Sequence, residues 1–351
     1  MIYIAILAVA MVLRAFRVPH LGALLLVVFF AFSAFRFEVG CDWSGYYNQY
    51  RLAETDPFGL RGLEPLWRGL LLLTDLLDLE YPWLNVLSSA IFFAGVFAMA
   101  RRQPDPAAFL IFLFPFLIIN MPMSAIRQAA AIGALCFAYN AFIDRKLMRF
   151  LLMLGIASLF HTSALAILLL APFVGGFGRA RIALTLALAI PLAAIFANSQ
   201  IADVVETRYL ESGKEAAGAL FRVAMLSATG LAFFSLLSKS WREKSVSDYP
   251  LMAAGAVGML FLPVLLLLSS VIADRLGYFL TPIQAIILAR IPYLQVGVSR
   301  NVVIIAPYVV FLALFIAYIQ YSTLFDTCYE PYRTWLFGTP ESRYPSLYDS
   351  I

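Results

Sequence analysis

The stretch VGCDWSGYYNQY places a carboxylate, Asp42, and four aromatic rings immediately after a long apolar block. If the residues after Asp42 are helical, tyrosines four residues apart lie on one face beside that carboxylate. Flat rings stack on the C–H faces of sugars, while hydroxyls and carboxylates bind the polar edges. The pattern favours a glycan site, with an N-cap role for Asp42 and an aromatic belt at the membrane boundary as alternatives. The expected sugar-contacting residues are Trp43, Tyr46, Tyr47, Tyr50 and, farther along the chain, Tyr278.

Arginines stand near the ends of several apolar segments. Arg127 is followed by an alanine-rich run, and Arg275 follows Asp274 in IADRLGYF. An arginine inside a membrane segment is costly and is a candidate for function, although it can also snorkel to the interface or pair with a neighbouring acid. Because guanidinium groups bind phosphate through two parallel hydrogen bonds, such residues suit a phosphate or diphosphate. The candidates are Arg127, Arg275, Arg208 and Arg222.

Two further ionisable residues could act in proton transfer. His161 lies in the middle of the apolar stretch SLFHTSAL, and Glu64 lies in LEPLW. As general bases we rank Asp42 and His161 level and Glu64 behind them, with a purely structural histidine as the alternative. The sequence shows no metal-type spacing of Cys and His and no glycine-rich phosphate loop, so we expect neither a metal nor a cofactor.

The composition defines the setting of these residues. The chain has 351 residues, of which 62% are apolar and 13% are charged. Soluble domains carry about 25% charged residues, and the apolar residues here form long blocks. The net charge of +4 is scattered over short loops and gives no indication of a nucleic-acid partner, so we expect none. We therefore expect a single transmembrane domain over residues 1–351.

The hydropathy pattern predicts an all-α polytopic protein with about 10 spanning helices. Residues 63–79 contain four charges and are expected to form an outer interfacial helix instead of a span. Residues 147–174 are expected to enter and return as two half-length helices, with His161 near the turn. The predicted spans are residues 1–17, 20–37, 82–100, 106–121, 124–143, 182–198, 218–238, 250–270, 274–290 and 300–324.

The basic residues predict the orientation of these segments. Six short loops hold 14 of the 25 basic residues and four of the 21 acidic residues, so we place them in the cytoplasm. The unusual polar residues then all fall on the periplasmic side, which includes residues 38–80 and the tail 325–351. Cys41 and Cys328 also lie there, where disulfides persist, and we expect them to bond. Cys136 lies inside a helix and is expected to serve packing.

Seven short motifs occur in one order along about 300 residues. They are VGCDWSGYYNQY, LEPLW around Glu64, Arg127 with Gln128, SLFHTSA around His161, RYL at Arg208, DRLGY at Asp274 and EPYR near the end. This ordered set resembles the EpsG family of exopolysaccharide polymerases, a Wzy-like group of bacterial membrane glycosyltransferases. Cys41 stands where such a protein would have a small hydroxyl residue.

The resemblance implies polymerisation of undecaprenyl-diphosphate-linked oligosaccharide repeat units at the periplasmic face of the bacterial inner membrane, without a metal. The partners would be the lipid-linked donor and acceptor glycans and membrane lipids, with a chain-length regulator and export proteins as further partners. The arginines would stabilise the diphosphate leaving group. Alternatives are a flippase or transporter of the same lipid, a membrane O-acyltransferase with His161 as base, and single transfer or ligation to another acceptor.

Overall fold

The computed structural model describes residues 1–198, 218–295 and 299–343, and the side chains of residues 192–198 and 300 lie outside that description. In the described part the chain is helical throughout, apart from loops and one isolated bridge between Arg36 and Thr334. The predicted all-α polytopic class is confirmed.

The described α-helices differ widely in length. Two of them contain a π-turn, at Phe114–Ile118 and at Phe233–Leu237. A 3₁₀ helix, Thr162–Phe173, follows the α-helix Leu147–Phe160. The helices are α1 Ile2–Ala15, α2 Leu21–Ala34, α3 Trp43–Thr55, α4 Pro65–Leu76, α5 Tyr81–Ala100, α6 Pro106–Ile118, α7 Ile126–Ile143, α8 Leu147–Phe160, α9 Arg179–Asn198, α10 Ala219–Lys244, α11 Tyr249–Leu268, α12 Ser270–Arg290, α13 Arg300–Tyr321 and α14 Thr323–Tyr329.

In the described ranges, six helices are long and apolar enough to cross a membrane: α5, α7, α10, α11, α12 and α13. Shorter apolar helices such as α1, α2 and α6 accompany them. The predicted start of the span 274–290 is wrong. Helix α12 begins at Ser270, where the Ser269 hydroxyl accepts from the Ile272 N–H, so Asp274 and Arg275 lie in its second turn instead of opening it.

Helix α7 is held at the centre of the bundle by close packing against α5. Gly95 and Gly133 meet at the crossing, and a Cβ on Gly95 would lie 1.9 Å from the Gly133 carbonyl oxygen. The alanine-rich middle of α7 is buried throughout. Small residues let membrane helices approach closely, and this packing fixes the position of the first turn of α7, which carries Arg127.

The basic loops meet at one end of the bundle. Gly176, before α9, accepts from Arg181, and the next ring, Phe177, contacts Tyr249 at the start of α11. The opposite end holds Asp42, Glu64 and the tail. These contacts agree with the predicted grouping of the loops, and their cytoplasmic orientation stays a prediction. The loops are joined by ion pairs or hydrogen bonds between Arg14 and Asp105, Arg102 and Asp144, Arg290 and Gln103, and Arg290 and Asp248.

Helix α8 and the 3₁₀ helix form the predicted re-entrant pair. Helix α8 starts beside the basic end, and the chain returns there, where Arg181 donates to the Val174 carbonyl oxygen. Between the two helices, His161 has an extended backbone with φ −156° and ψ 112°. His161 therefore lies at the turn, at the end of the bundle that is remote from the basic loops.

Candidate active site

The carboxylate of Glu64 joins two of the candidate residues. Glu64 directly precedes Pro65, which favours an extended backbone and places the carboxylate at the N-terminus of α4. Arg127 Nη1 donates to Glu64 Oε2 at 2.9 Å, and His161 Nδ1 lies 3.3 Å from Glu64 Oε1. The backbone N–H of Thr162 also donates to Oε1 at 3.3 Å. One carboxylate thus connects α4, α7 and the turn of the re-entrant pair.

The environment of Glu64 keeps this carboxylate ionised. Burial acts to raise the pKa of Glu64, but the hydrogen bond with His161 and the positive charge of Arg127 outweigh it and lower the pKa to about 2. A group with so low a pKa accepts a proton poorly near neutral pH. Glu64 therefore suits a role in binding and orienting Arg127 and His161, and not the role of general base.

A glycine allows the Asp42 segment to approach α7. Gly40 has φ +111°, and a Cβ at this position would lie 1.8 Å from the Met123 carbonyl oxygen. Its N–H donates to the Cys328 carbonyl oxygen at 2.7 Å, and the Asp42 N–H donates to Ser124 Oγ at 3.3 Å. No other residue type fits this conformation and this space, so Gly40 decides where Asp42 lies.

Asp42 occupies the N-cap position of α3, but its side chain makes no capping hydrogen bond. Asp42 is exposed. Partial desolvation there raises the pKa of Asp42 above its usual value, and the charges of Arg275 and Arg127 oppose the rise. The simple capping alternative is therefore not what the structure shows, and a raised pKa is what a general base requires.

Arg127 and Arg275 lie on two helices that are hydrogen-bonded to each other. Gln128 Nε2 donates to the Arg275 carbonyl oxygen at 2.8 Å, which joins α7 to α12. The charges of both arginines act on Asp42 and on His161. Arg127 Nε is buried and has no hydrogen-bond acceptor among the residues that the structure describes. Asp42, the Glu64–His161 pair and two guanidinium groups therefore meet at one end of the bundle.

Arg222 has a different environment from the other two described arginines. It donates through Nε to Asp274 Oδ1 at 2.6 Å and through Nη2 to Oδ2 at 2.8 Å, and it lies over the Tyr278 ring at 5.3 Å. Asp274 therefore pairs with Arg222 on α10, and not with its neighbour Arg275. Arg208, the fourth expected phosphate ligand, lies outside the described residues.

A groove of about 190 Å³ begins beside Arg222 and runs between α10 and α13. Its rim carries the exposed rings of Phe221 and Tyr321. Its other lining residues are mostly apolar, and they include Phe116, Leu314 and Ala317.

The aromatic residues after Asp42 form a packed cluster. Trp43 stacks edge to face on Tyr81 at 4.8 Å, and Tyr46 on Trp67 at 5.3 Å. Helical spacing turns these rings onto α4 and α5, where they pack against protein, and their expected contacts with sugars stay a prediction. Tyr46 lies beside Arg127, with its ring centroid 6.0 Å from the guanidinium carbon. The buried members are Trp43, Tyr46, Tyr47 and Tyr50, and Tyr278 on α12 is also buried.

The tail packs onto the segment before Gly40. Cys41 and Cys328 are joined by a disulfide with Cα atoms 4.8 Å apart, within the distance that a disulfide allows. Arg333 donates to Glu38 at 2.7 Å, and Tyr332 donates to the Phe32 carbonyl oxygen. The tail is thus a structural part of the site.

Sequence reasoning missed several residues that build the site. Arg36 is 1% exposed and donates to the carbonyl oxygens of Ser33 and Val39 and to Asn85. Ser124 and Thr162 were missed as well. A charged residue directly after an apolar block was a signal for Arg36, whereas Ser124 and Thr162 carry no local signal. Among the described residues, no group of three or more His, Cys, Asp or Glu could hold a metal ion.

Comparison with known proteins gives one match. A family model described as the EpsG family matches residues 21–334, which is nearly the whole chain. No curated protein and no solved structure matches the chain. The match contains the Asp42 segment, Glu64, Arg127, His161 and Arg275. The chain therefore belongs to the EpsG family, whose members are Wzy-like exopolysaccharide polymerases.

Proposed function

We propose that this protein polymerises undecaprenyl-diphosphate-linked oligosaccharide repeat units into exopolysaccharide at the periplasmic face of the bacterial inner membrane. The observation that carries the proposal is the meeting of Arg127 and Arg275 with Asp42 and the Glu64–His161 pair. Two guanidinium groups suit a diphosphate, and the adjoining bases suit a sugar hydroxyl. Family membership supports polymerisation as the overall reaction.

The donor is a growing glycan on the lipid diphosphate. The acceptor hydroxyl oxygen attacks the anomeric carbon, the bond between that carbon and the diphosphate oxygen breaks, and the bonding pair leaves with the diphosphate. Arg127 and Arg275 stabilise the charge that develops there, so the leaving group needs no proton. The hydroxyl proton passes to a general base, for which His161 and Asp42 are the candidates.

The groove beside Arg222 supports a lipid-linked substrate. An apolar chain in this groove would approach the site between α10 and α13, and its diphosphate would face Arg275. The Arg222–Asp274 pair then serves to hold α10 and α12 together at the mouth, because both acceptor oxygens of Asp274 already bind Arg222. We therefore assign the direct phosphate contacts to Arg127 and Arg275.

The disulfide supports the periplasmic side. Disulfides persist in oxidising compartments such as the periplasm and are rare in the cytosol. Cys41 is adjacent to Asp42, so the compartment of the disulfide is also that of the candidate site. The basic loops at the opposite end agree with a cytoplasmic orientation there.

The test uses purified protein in lipid vesicles with a lipid-linked repeat unit as substrate. New glycosidic bonds and products of many repeats are expected, with released lipid diphosphate in matching amount. Movement of the lipid-linked unit across the vesicle membrane without bond formation would replace the proposal by a transporter. Incorporation of label from acyl-CoA would replace it by an O-acyltransferase, and products that stop after one addition would replace it by a single-transfer enzyme.

A further inference from the structure

We infer that Glu64 is a positioning residue that orients His161 as the general base. The inference rests on the proposed function and concerns the same site. Its basis is that the two oxygens of Glu64 bind two different groups: Oε2 accepts from Arg127, and Oε1 faces His161 Nδ1. Glu64 itself does not contact the substrate.

The geometry determines which imidazole nitrogen carries the proton. Glu64 is ionised and can only accept hydrogen bonds, so His161 Nδ1 must be the donor at 3.3 Å. The proton of a neutral imidazole then lies on Nδ1, and Nε2 keeps its lone pair. Nε2 points away from the carboxylate and is available to accept the proton of a sugar hydroxyl.

Arg127 and the Thr162 backbone hold the carboxylate in this orientation. The Arg127–Glu64 contact is a charge-assisted hydrogen bond of 2.9 Å, and such bonds are roughly twice as strong as neutral ones. The Thr162 N–H, next to His161 in the chain, donates to the same oxygen as the imidazole. The Glu64 side chain therefore links Arg127, which binds the leaving group, to His161, which takes the proton.

A glutamine at position 64 would reverse the arrangement. Arg127 is a charged donor at 2.9 Å, whereas the Thr162 N–H is a neutral donor at 3.3 Å, so the amide oxygen would turn toward Arg127 and leave the amide NH₂ facing Nδ1. Nδ1 would then have to accept, and the imidazole proton would move to Nε2, where it blocks base catalysis. Glu64→Gln preserves the size of the side chain, so this variant tests orientation more sharply than a truncation.

The first arm of the test needs no substrate. The chain has two histidines, so His20→Asn leaves His161 as the sole imidazole, and asparagine tolerates the left-handed backbone of His20 at φ 55°. Nitrogen-15 NMR of histidine-labelled protein in nanodiscs distinguishes protonated from unprotonated ring nitrogens. We expect the proton on Nδ1 in this background and on Nε2 after Glu64→Gln. A proton on Nε2 in both proteins, or on Nδ1 in both, would overturn the inference.

The second arm measures polymer synthesis. Glu64→Gln is expected to lower kcat by about 10³- to 10⁴-fold, as a misoriented catalytic histidine does, with KM for the lipid-linked repeat close to wild type. Glu64→Asp, which keeps an acceptor of the same charge, should recover part of the rate. The matched control is Glu54→Gln, which breaks the carboxylate pair with Arg51 and should keep wild-type kcat.

The pH profile separates positioning from a structural role. Glu64, Arg127 and Arg275 are the charged groups that act on His161. Loss of the Glu64 charge removes the group that favours the imidazolium, so the acid limb of the kcat profile should move to lower pH in Glu64→Gln. An unmoved limb with a uniformly lower rate would show a structural role and overturn the inference. Absence of polymer from the wild-type protein would instead refute the proposed function, and the NMR arm would still decide the role of Glu64.

Discussion

Gln128 Nε2 donates to the backbone carbonyl oxygen of Arg275 at 2.8 Å, so the first turn of α7 is hydrogen-bonded to the second turn of α12. Arg127 precedes Gln128 in the chain, and the spacing between the two arginines is therefore set by packed helices instead of loops. Groups held in this way lose little freedom when they bind an anion, which is the condition for effective stabilisation of a leaving group.

The first prediction concerns the two arginines. Arg127→Lys and Arg275→Lys should each insert normally and lower polymer synthesis by about 10²- to 10³-fold, because lysine keeps the charge but loses the planar fork. Lipid-linked single repeats should accumulate in cells, since their supply continues. Polymer length and lipid-linked repeats would be measured at matched protein level.

The control for this prediction is Arg61→Lys. Arg61 is exposed, lies over the Phe58 ring at 4.6 Å and forms no ion pair with Asp42 or Glu64 in the described part of the chain, so this variant should make normal polymer. Near-normal polymer from both Arg127→Lys and Arg275→Lys would show that the two arginines only anchor helix ends at the membrane interface, a role in which lysine is an equal substitute.

The second prediction concerns Gly40. Gly40→Ala should lower the thermal stability of the detergent-solubilised protein and reduce polymer synthesis, because a methyl group cannot fit against the Met123 carbonyl oxygen and the backbone has a positive φ. A cost of about 2–4 kcal/mol is expected from the strained backbone and the overpacking together. The readout is the melting temperature together with product length.

Gly62→Ala provides the comparison for Gly40. A Cβ at Gly62 would meet no atom within 4 Å, and its backbone is not in the left-handed region. This variant should keep the wild-type melting temperature. If the two alanine variants have the same melting temperature, the close approach of Gly40 to the turn before α7 does not determine the position of the Asp42 segment.

The third prediction separates Arg222 from the phosphate ligands. Arg222→Met should destabilise the protein by about 3–5 kcal/mol, because it leaves the Asp274 carboxylate buried without its bidentate partner. Arg222→Lys keeps the charge and should be milder. The double variant Arg222→Met with Asp274→Leu should recover most of the stability, measured by thermal unfolding monitored by size-exclusion chromatography. A double variant no more stable than Arg222→Met would show that the two residues are not energetically coupled.

The fourth prediction concerns the disulfide and the orientation of the chain. Protein purified without reductant should show no free thiol at Cys41 or Cys328, and Cys41→Ser should lower stability by about 2–4 kcal/mol. In a background without these two cysteines, an impermeant maleimide applied to whole cells should label Phe337→Cys and leave Arg242→Cys unlabelled. Both positions are exposed, at opposite ends of the bundle. Labelling of Arg242→Cys but not of Phe337→Cys would show that the proposed orientation is wrong.

The class of the protein and the candidate residues could be read from the linear chain. Membrane insertion depends on the summed hydropathy of neighbouring residues, which is a local property. The same reasoning found Arg127, Glu64 and His161, because an ionisable group in or beside an apolar segment is conspicuous wherever it lies. It also anticipated the re-entrant turn at His161, since a largely apolar stretch of 28 residues between two basic loops has to return to the same side.

The partners of these residues depended on the packing of helices. Glu64 lies 63 residues from Arg127 and 97 from His161, and Asp274 lies 52 from Arg222. Adjacent residues on a helix point in different directions, so Asp274 and Arg275 face different neighbours despite their sequence contact. The surroundings of the tyrosine rings depended on packing for the same reason: their spacing shows a shared face, but only the position of α4 and α5 decides whether that face is covered. Hydropathy is summed along the chain, whereas a hydrogen bond requires atoms to meet in space.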